Sequence, residues 1–98
     1  MNSPVEAILK QLISFDKTIV QPVYVQVSQQ IINAIQRGYL IKGTKLPGTR
    51  ILSQLLKVHR NTAVAIYDEL ASQGWVEIIA NKGTFVLLPE QATAKRLS

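Results

Sequence analysis

Four stretches of the chain repeat apolar residues at three- and four-residue spacing, the period of a helix that buries one face. The first runs through Val5, Ile8, Leu9, Leu12 and Ile13. It opens on Ser3-Pro4-Val5-Glu6, where a serine cap, a proline preset for the first turn and a glutamate three residues on make a capping box. The second carries Val23, Val27, Ile31, Ala34 and Ile35, and Gly38 supplies its stop. A third, with Gly48 as an acceptable N-cap and Thr49 and Arg50 in its first turn, presents Ile51, Leu52, Leu55 and Leu56 inward. Lys57, Val58 and His59 break that stripe. The fourth begins near Arg60, sets Ala63, Ile66, Tyr67 and Leu70 on one face, and ends at Gly74.

The segments between and after these helices follow other patterns. Ser14 to Gln21, with β-branched Thr18, Ile19 and Val20 before Pro22, is expected to be an extended linker. Lys42 to Pro47 is too short and turn-rich for a helix and suits a loop with a short strand near Lys45 and Leu46. After Gly74, the β-prone run Trp75, Val76, Ile78 and Ile79, the turn signal Asn81-Lys82-Gly83 and a second strand from Thr84 to Leu88 predict a hairpin. Helix, helix, turn, helix and hairpin is the order of an α+β winged helix-turn-helix, here with an extra N-terminal helix that serves as an accessory or dimerising element. The expected division is residues 1–21 as N-terminal helix and linker, 22–88 as the winged helix-turn-helix, and 89–98 as a tail or a linker to an effector domain.

Composition narrows the function. A chain of 98 residues, 47% hydrophobic, fits one domain with a modest core and leaves no room for a two-domain enzyme. Without cysteine there are no disulfides, thiolate metal sites or cysteine nucleophiles, and one histidine argues against an all-protein zinc site. No apolar run approaches the roughly 20 residues that span a bilayer, and no signal peptide opens the chain, so a cytoplasmic location without membrane contact is the expectation. The net charge of +5 is unevenly spread. No acidic residue lies between Asp16 and Asp68, while Lys17, Arg37, Lys42, Lys45, Arg50, Lys57 and Arg60 fall in that interval. Charge excess alone reads equally as a solvated face or as a surface for a polyanion. Its placement at helix starts favours the second, because a helix N-terminus offers unpaired N–H groups and a favourable dipole to phosphate.

Three separated motifs then come into view: Leu46-Pro47-Gly48-Thr49-Arg50, Val58-His59-Arg60-Asn61-Thr62, and Gly83-Thr84-Phe85-Val86. In this order, with Pro22-Val23-Tyr24-Val25-Gln26 before them and Tyr67-Asp68-Glu69-Leu70 ahead of Gly74-Trp75-Val76, the chain resembles the GntR family of transcription regulators from about Pro22 to Val86. The forms of the first two motifs look most like the MocR subgroup. That resemblance implies an operator-reading domain that acts on double-stranded DNA as a homodimer. It also implies an aminotransferase-like domain after the reader, the only place where a cofactor, pyridoxal phosphate, is expected. The DNA-binding residues it implies are Gly48, Thr49, Arg50, His59, Arg60, Asn61, Thr62, Lys82, Gly83 and Thr84. Arg50 would grip backbone phosphate, Arg60 would clamp a guanine edge, Thr62 would position the helix on phosphate, and Asn61 would either pair with adenine or face solvent.

Two departures from the family pattern stand out. His59 replaces the usual serine or threonine before the recognition-helix arginine, and serves either as a donor to phosphate or base or as a plain surface histidine. Asn81 and Lys82 precede Gly83 where a glycine is usual; asparagine tolerates the left-handed conformation and lysine adds a phosphate contact. Trp75 and Phe85 are expected to face the inner side of the sheet, and Tyr24 and Tyr67 to pack in the core, rather than to stack on bases, with Tyr24 alternatively offering its hydroxyl to phosphate near the start of the second helix. An enzyme would want paired carboxylates or a nucleophile with its base, and the adjacent Asp68 and Glu69 point to different helix faces. The competing reading is a winged helix that docks a protein or RNA through its basic face.

Overall fold

A computed structural model describes residues 4–87 of the chain. The Ser3 cap, Leu88 and the tail from Pro89 lie outside the described residues. Helix α1 spans Pro4–Leu12, α2 Val23–Gln36, α3 Thr49–Leu56 and α4 Arg60–Ser72; strands β1 Lys45–Leu46, β2 Val76–Ile79 and β3 Gly83–Val86 complete the order α1-α2-β1-α3-α4-β2-β3.

The two long helices stop by one device. Beyond α2, Gly38 adopts φ +85°, and the N–H groups of Gly38 and Tyr39 donate to the carbonyls of Ile35 and Ala34 at 3.1 and 2.9 Å. Beyond α4, Gly74 adopts φ +85°, and Gly74 and Trp75 donate to Ala71 and Leu70 at 3.0 and 2.9 Å. In each case a left-handed glycine turns the chain so that orphan carbonyls of the last turn are satisfied.

Packing follows the apolar stripes. α4 lies against both α2 and α3, and Val27, Ile31, Leu52, Ala63, Ile66 and Leu70 are sealed between them. Leu9 and Ile13 are buried in that same core, where α1 meets α2, α3 and β1. Within the described residues α1 therefore shares the core of the winged helix through Leu9, while Leu12 stays exposed.

The Ser14–Gln21 linker has no strand partner, and side-chain amides satisfy its backbone instead. Gln26 accepts from the Asp16 N–H at 2.9 Å and donates to the carbonyls of Asp16 and Gln21 at 2.9 and 2.8 Å. Gln30 accepts from the Ser14 N–H at 2.8 Å and donates back to the Ser14 carbonyl. The Asp16 carboxylate accepts from the backbone N–H and hydroxyl of Thr18, and the hydroxyl bond first, the backbone bond second, hold its pKa below the usual carboxylate value.

The sheet is antiparallel with order β1-β3-β2, so β3 is central. Thr84 lies between Leu46 and Ile78, and Phe85 between Lys45 and Glu77. The inward residues are Leu46, Val76, Thr84 and Val86, all buried. Phe85 therefore stands on the outer face, half-buried, contrary to the expectation that it packs inward. Trp75, just before β2, does pack against the core.

Candidate nucleic-acid interface

Helices α3 and α4 form the helix-turn-helix, joined by Lys57, Val58 and His59. The turn is tight because Lys57 takes the left-handed conformation, φ 58° and ψ 47°, while the Lys57 and Val58 N–H groups both return to the Ser53 carbonyl. A non-glycine residue in that region carries a steric cost of about 1 kcal/mol. Lys57 is exposed, so its charge is presented to solvent beside the start of α4.

At the start of α4, His59 is extended, φ −62° and ψ 148°, and makes no side-chain cap. Gly48, at the start of α3, has no side chain to cap with. Neither N-terminus is closed by a side-chain cap, and although the Thr62 N–H donates to the His59 carbonyl at 3.0 Å, the remaining first-turn N–H groups are open to an anion. Arg60, Asn61 and Val64 are exposed along the first two turns of α4, while Ala63, Ile66 and Tyr67 are buried.

The relative placement of the two helices has one polar anchor. The Tyr67 hydroxyl donates to the carbonyl of Pro47, immediately before the Gly48 start of α3. Tyr67 is buried, and loss of solvation pushes its pKa well above the usual phenol value, so the hydroxyl stays protonated and able to donate.

The hairpin tip closes with the Lys82 N–H donating to the Ile79 carbonyl at 3.0 Å, and Asn81 in the left-handed region at φ 66°. An asparagine at the third position of such a turn is what a positive φ selects when glycine is absent. Gly83, at φ +130°, lies under the Lys45 side chain, whose Cε would sit 2.9 Å from an added Cβ. Lys82 is exposed at the tip, and Ile78 is half exposed because the hairpin projects past the core as a wing.

Of the residues expected to bind DNA, Gly48, Arg50, His59, Arg60, Asn61 and Lys82 are exposed, and Thr49, Thr62 and Gly83 are partly so. Thr84 is corrected: at 6% exposure on the central strand, its side chain faces the core. His59, Arg60 and Thr62 come together with Val23, Lys57, Val58 and Lys17 around one open groove. Arg50 does not line it, and Lys82 stands apart on the wing. The sequence reading missed Lys17, Lys57 and Val64. Val64 had a signal, being an apolar residue off the inward stripe of α4; Lys17 had one only as a member of the acid-free basic interval, since it is the folded linker that carries it to the groove.

Among the described residues no cluster of three His, Cys, Asp or Glu could hold a metal ion. Nor do they fit pyridoxal phosphate, since every described lysine is exposed and a Schiff-base lysine needs desolvation. No helix among them is long and apolar enough to cross a membrane.

The bacterial regulatory proteins of the gntR family match over residues 23–86. The chain belongs to that family. It is the winged-helix DNA-binding domain of a GntR-family transcription regulator, and this domain is not an enzyme. It is similar to the probable rhizopine catabolism regulatory protein MocR of Rhizobium meliloti, 33% identical over 86 residues, which are 86% of this chain and 17% of that protein. Among solved structures it resembles YtrA from Sulfolobus acidocaldarius, a GntR-family transcription factor, with TM-score 0.72 and 27% identity over 88% of this chain and 93% of that one. It also resembles the DNA-binding domain of AraR in complex with operator ORX1, with TM-score 0.68 and 30% identity over 76% of this chain and 93% of that one.

Proposed function

We propose that this GntR domain reads double-stranded operator DNA with α4 in the major groove, α3, Lys57 and His59 on backbone phosphate, and the wing tip at Lys82 on the adjacent groove or backbone. The observation that carries this reading is the row Arg60, Asn61 and Val64 on the open face of α4, flanked by cations at two uncapped helix starts. Arg60 matches the paired acceptors of guanine, Asn61 those of adenine, and Val64 offers an apolar surface to a thymine methyl group. His59, Lys57 and Thr62 suit phosphate. The likeness to AraR bound to an operator supports this mode of use. It favours DNA over a docked protein or RNA.

A single module reads only a short half-site, so the regulator works as a homodimer on paired half-sites, in the cytoplasm where its DNA is. The Leu46–Arg50 and Arg60–Thr62 motif forms and the likeness to MocR favour membership of that subgroup. In that case pyridoxal phosphate belongs to a separate C-terminal domain of the protein.

The test is titration of a mixed duplex pool at several salt concentrations with wild type and an Arg50→Ala, Arg60→Ala double variant. Wild type should enrich a defined sequence with a steep salt dependence, and the variant should lose both. If neither protein enriches any sequence, even when fused to a dimerising partner, the reading fails. Replacing thymine by deoxyuridine in the enriched site removes one methyl group and should weaken wild type about fourfold at the position Val64 covers, but leave Val64→Ala unaffected.

A further inference from the structure

The Asp16–Gln21 loop belongs by sequence to the linker before the family-matched region, which begins at residue 23. By structure it is fastened from below and charged on top. The side-chain amide of Gln26, itself 7% exposed, accepts from Asp16 N–H and donates to the Asp16 and Gln21 carbonyls, gripping the loop at both ends. Between those grips stands exposed Lys17, which lines the groove of about 670 Å³ that also takes in Val23, Lys57, Val58, His59, Arg60 and Thr62. Its ammonium shares that groove with three other cation-capable groups and no carboxylate. Lys17, Lys57 and Arg60 around one opening concentrate positive charge, which attracts a polyanion.

We propose that Lys17 is a backbone-phosphate contact of this domain and that Gln26 is the positioning residue which holds the Lys17 loop against the start of the recognition helix. The proposal rests on the DNA reading and adds to it an N-terminal contact that the winged helix proper does not contain. A buried glutamine gripping a loop at three points lets one lysine approach a phosphate with little ordering cost on binding. The contact is to phosphate and not to a base, so it strengthens all sequences alike.

Salt dependence on the enriched operator decides the matter, measured by anisotropy for wild type, Lys17→Ala, Gln26→Leu, the double variant and Arg37→Ala. Arg37 is the charge-matched control, exposed at the far end of α2, about 20 Å along its axis from Val23. Losing one phosphate contact should lower the slope of log K against log salt by about 0.9, and weaken binding about eightfold at 0.1 M salt. Lys17→Ala should show that drop, Gln26→Leu should show most of it, the double variant should equal Lys17→Ala, and Arg37→Ala should keep the wild-type slope. Circular dichroism melts fix a temperature at which every variant is folded. If Lys17→Ala matches Arg37→Ala, the Lys17 contact is overturned while wild-type operator binding leaves the DNA reading standing. If Gln26→Leu keeps the wild-type slope while Lys17→Ala loses it, the positioning role is overturned. Should wild type bind no operator, the DNA reading fails first, and this proposal with it.

Discussion

Tyr67 shows how one side chain joins the core to the interface. Its ring is buried in α4, and its hydroxyl reaches the Pro47 carbonyl that precedes α3. Tyr67→Phe keeps the ring and strands that carbonyl, so stability should fall by about 1 to 3 kcal/mol. The pH signature has a definite sign. Burial raises the folded pKa above the value near 10 that the unfolded phenol has, so the unfolded state ionises first and stability falls as pH climbs past 10. Urea midpoints compared between pH 8 and pH 11 should drop further for wild type than for Tyr67→Phe. Equal drops would mean that the phenol is not the alkaline weak point. Phe85 carries the opposite lesson, since an aromatic residue in a strand proved to lie on the outer face.

At the scale of the element, the turn between α3 and α4 holds a strained lysine where the conformation favours glycine. Lys57→Gly and Lys57→Ala both remove the charge, but only the first relieves the left-handed backbone. The glycine variant should therefore be the more stable of the two by about 1 kcal/mol in thermal melts, while both lose about the same amount of salt-dependent DNA affinity. A glycine variant no more stable than the alanine one would show that the turn is not strained at Lys57. The wing follows a similar logic with a different outcome: Gly83 combines φ +130° with the Lys45 side chain lying over it, so no residue with a side chain fits there without displacing Lys45.

At the scale of the whole molecule, α1 is part of the structure that holds the reading helix in place. Leu9 is 1% exposed where α1 meets the core, and removing its side chain should cost about 2 to 5 kcal/mol. For a domain of this size, Leu9→Ala should lower the melting temperature by roughly 10 °C or more. A shift of only 1 or 2 °C would show that α1 rides on the surface. The α1 face between Leu12 and Tyr39 remains partly apolar and open, bordering Gln30, Ala34 and Arg37.

Periodicity and punctuation by themselves determined the four helices, the two long helix ends and the hairpin, because apolar spacing, Gly38, Gly74 and Asn81 act through local backbone geometry. The same is true of Arg50, Arg60 and Asn61 as exposed residues at helix starts, since position within a helix is set by the chain nearby. What only the tertiary structure decided are relations between distant segments. A four-residue strand with Phe85 and Val86 on opposite faces does not declare which face is inner; pairing with Leu46 across β1 buried Thr84 and Val86 and turned Phe85 outward. Nor does sequence spacing place Lys17 on the same groove as Arg60, 43 residues apart by their numbers. That meeting depends on the grip of Gln26 on the linker and on the packing of α2 against α4, long-range contacts whose energies no local pattern records.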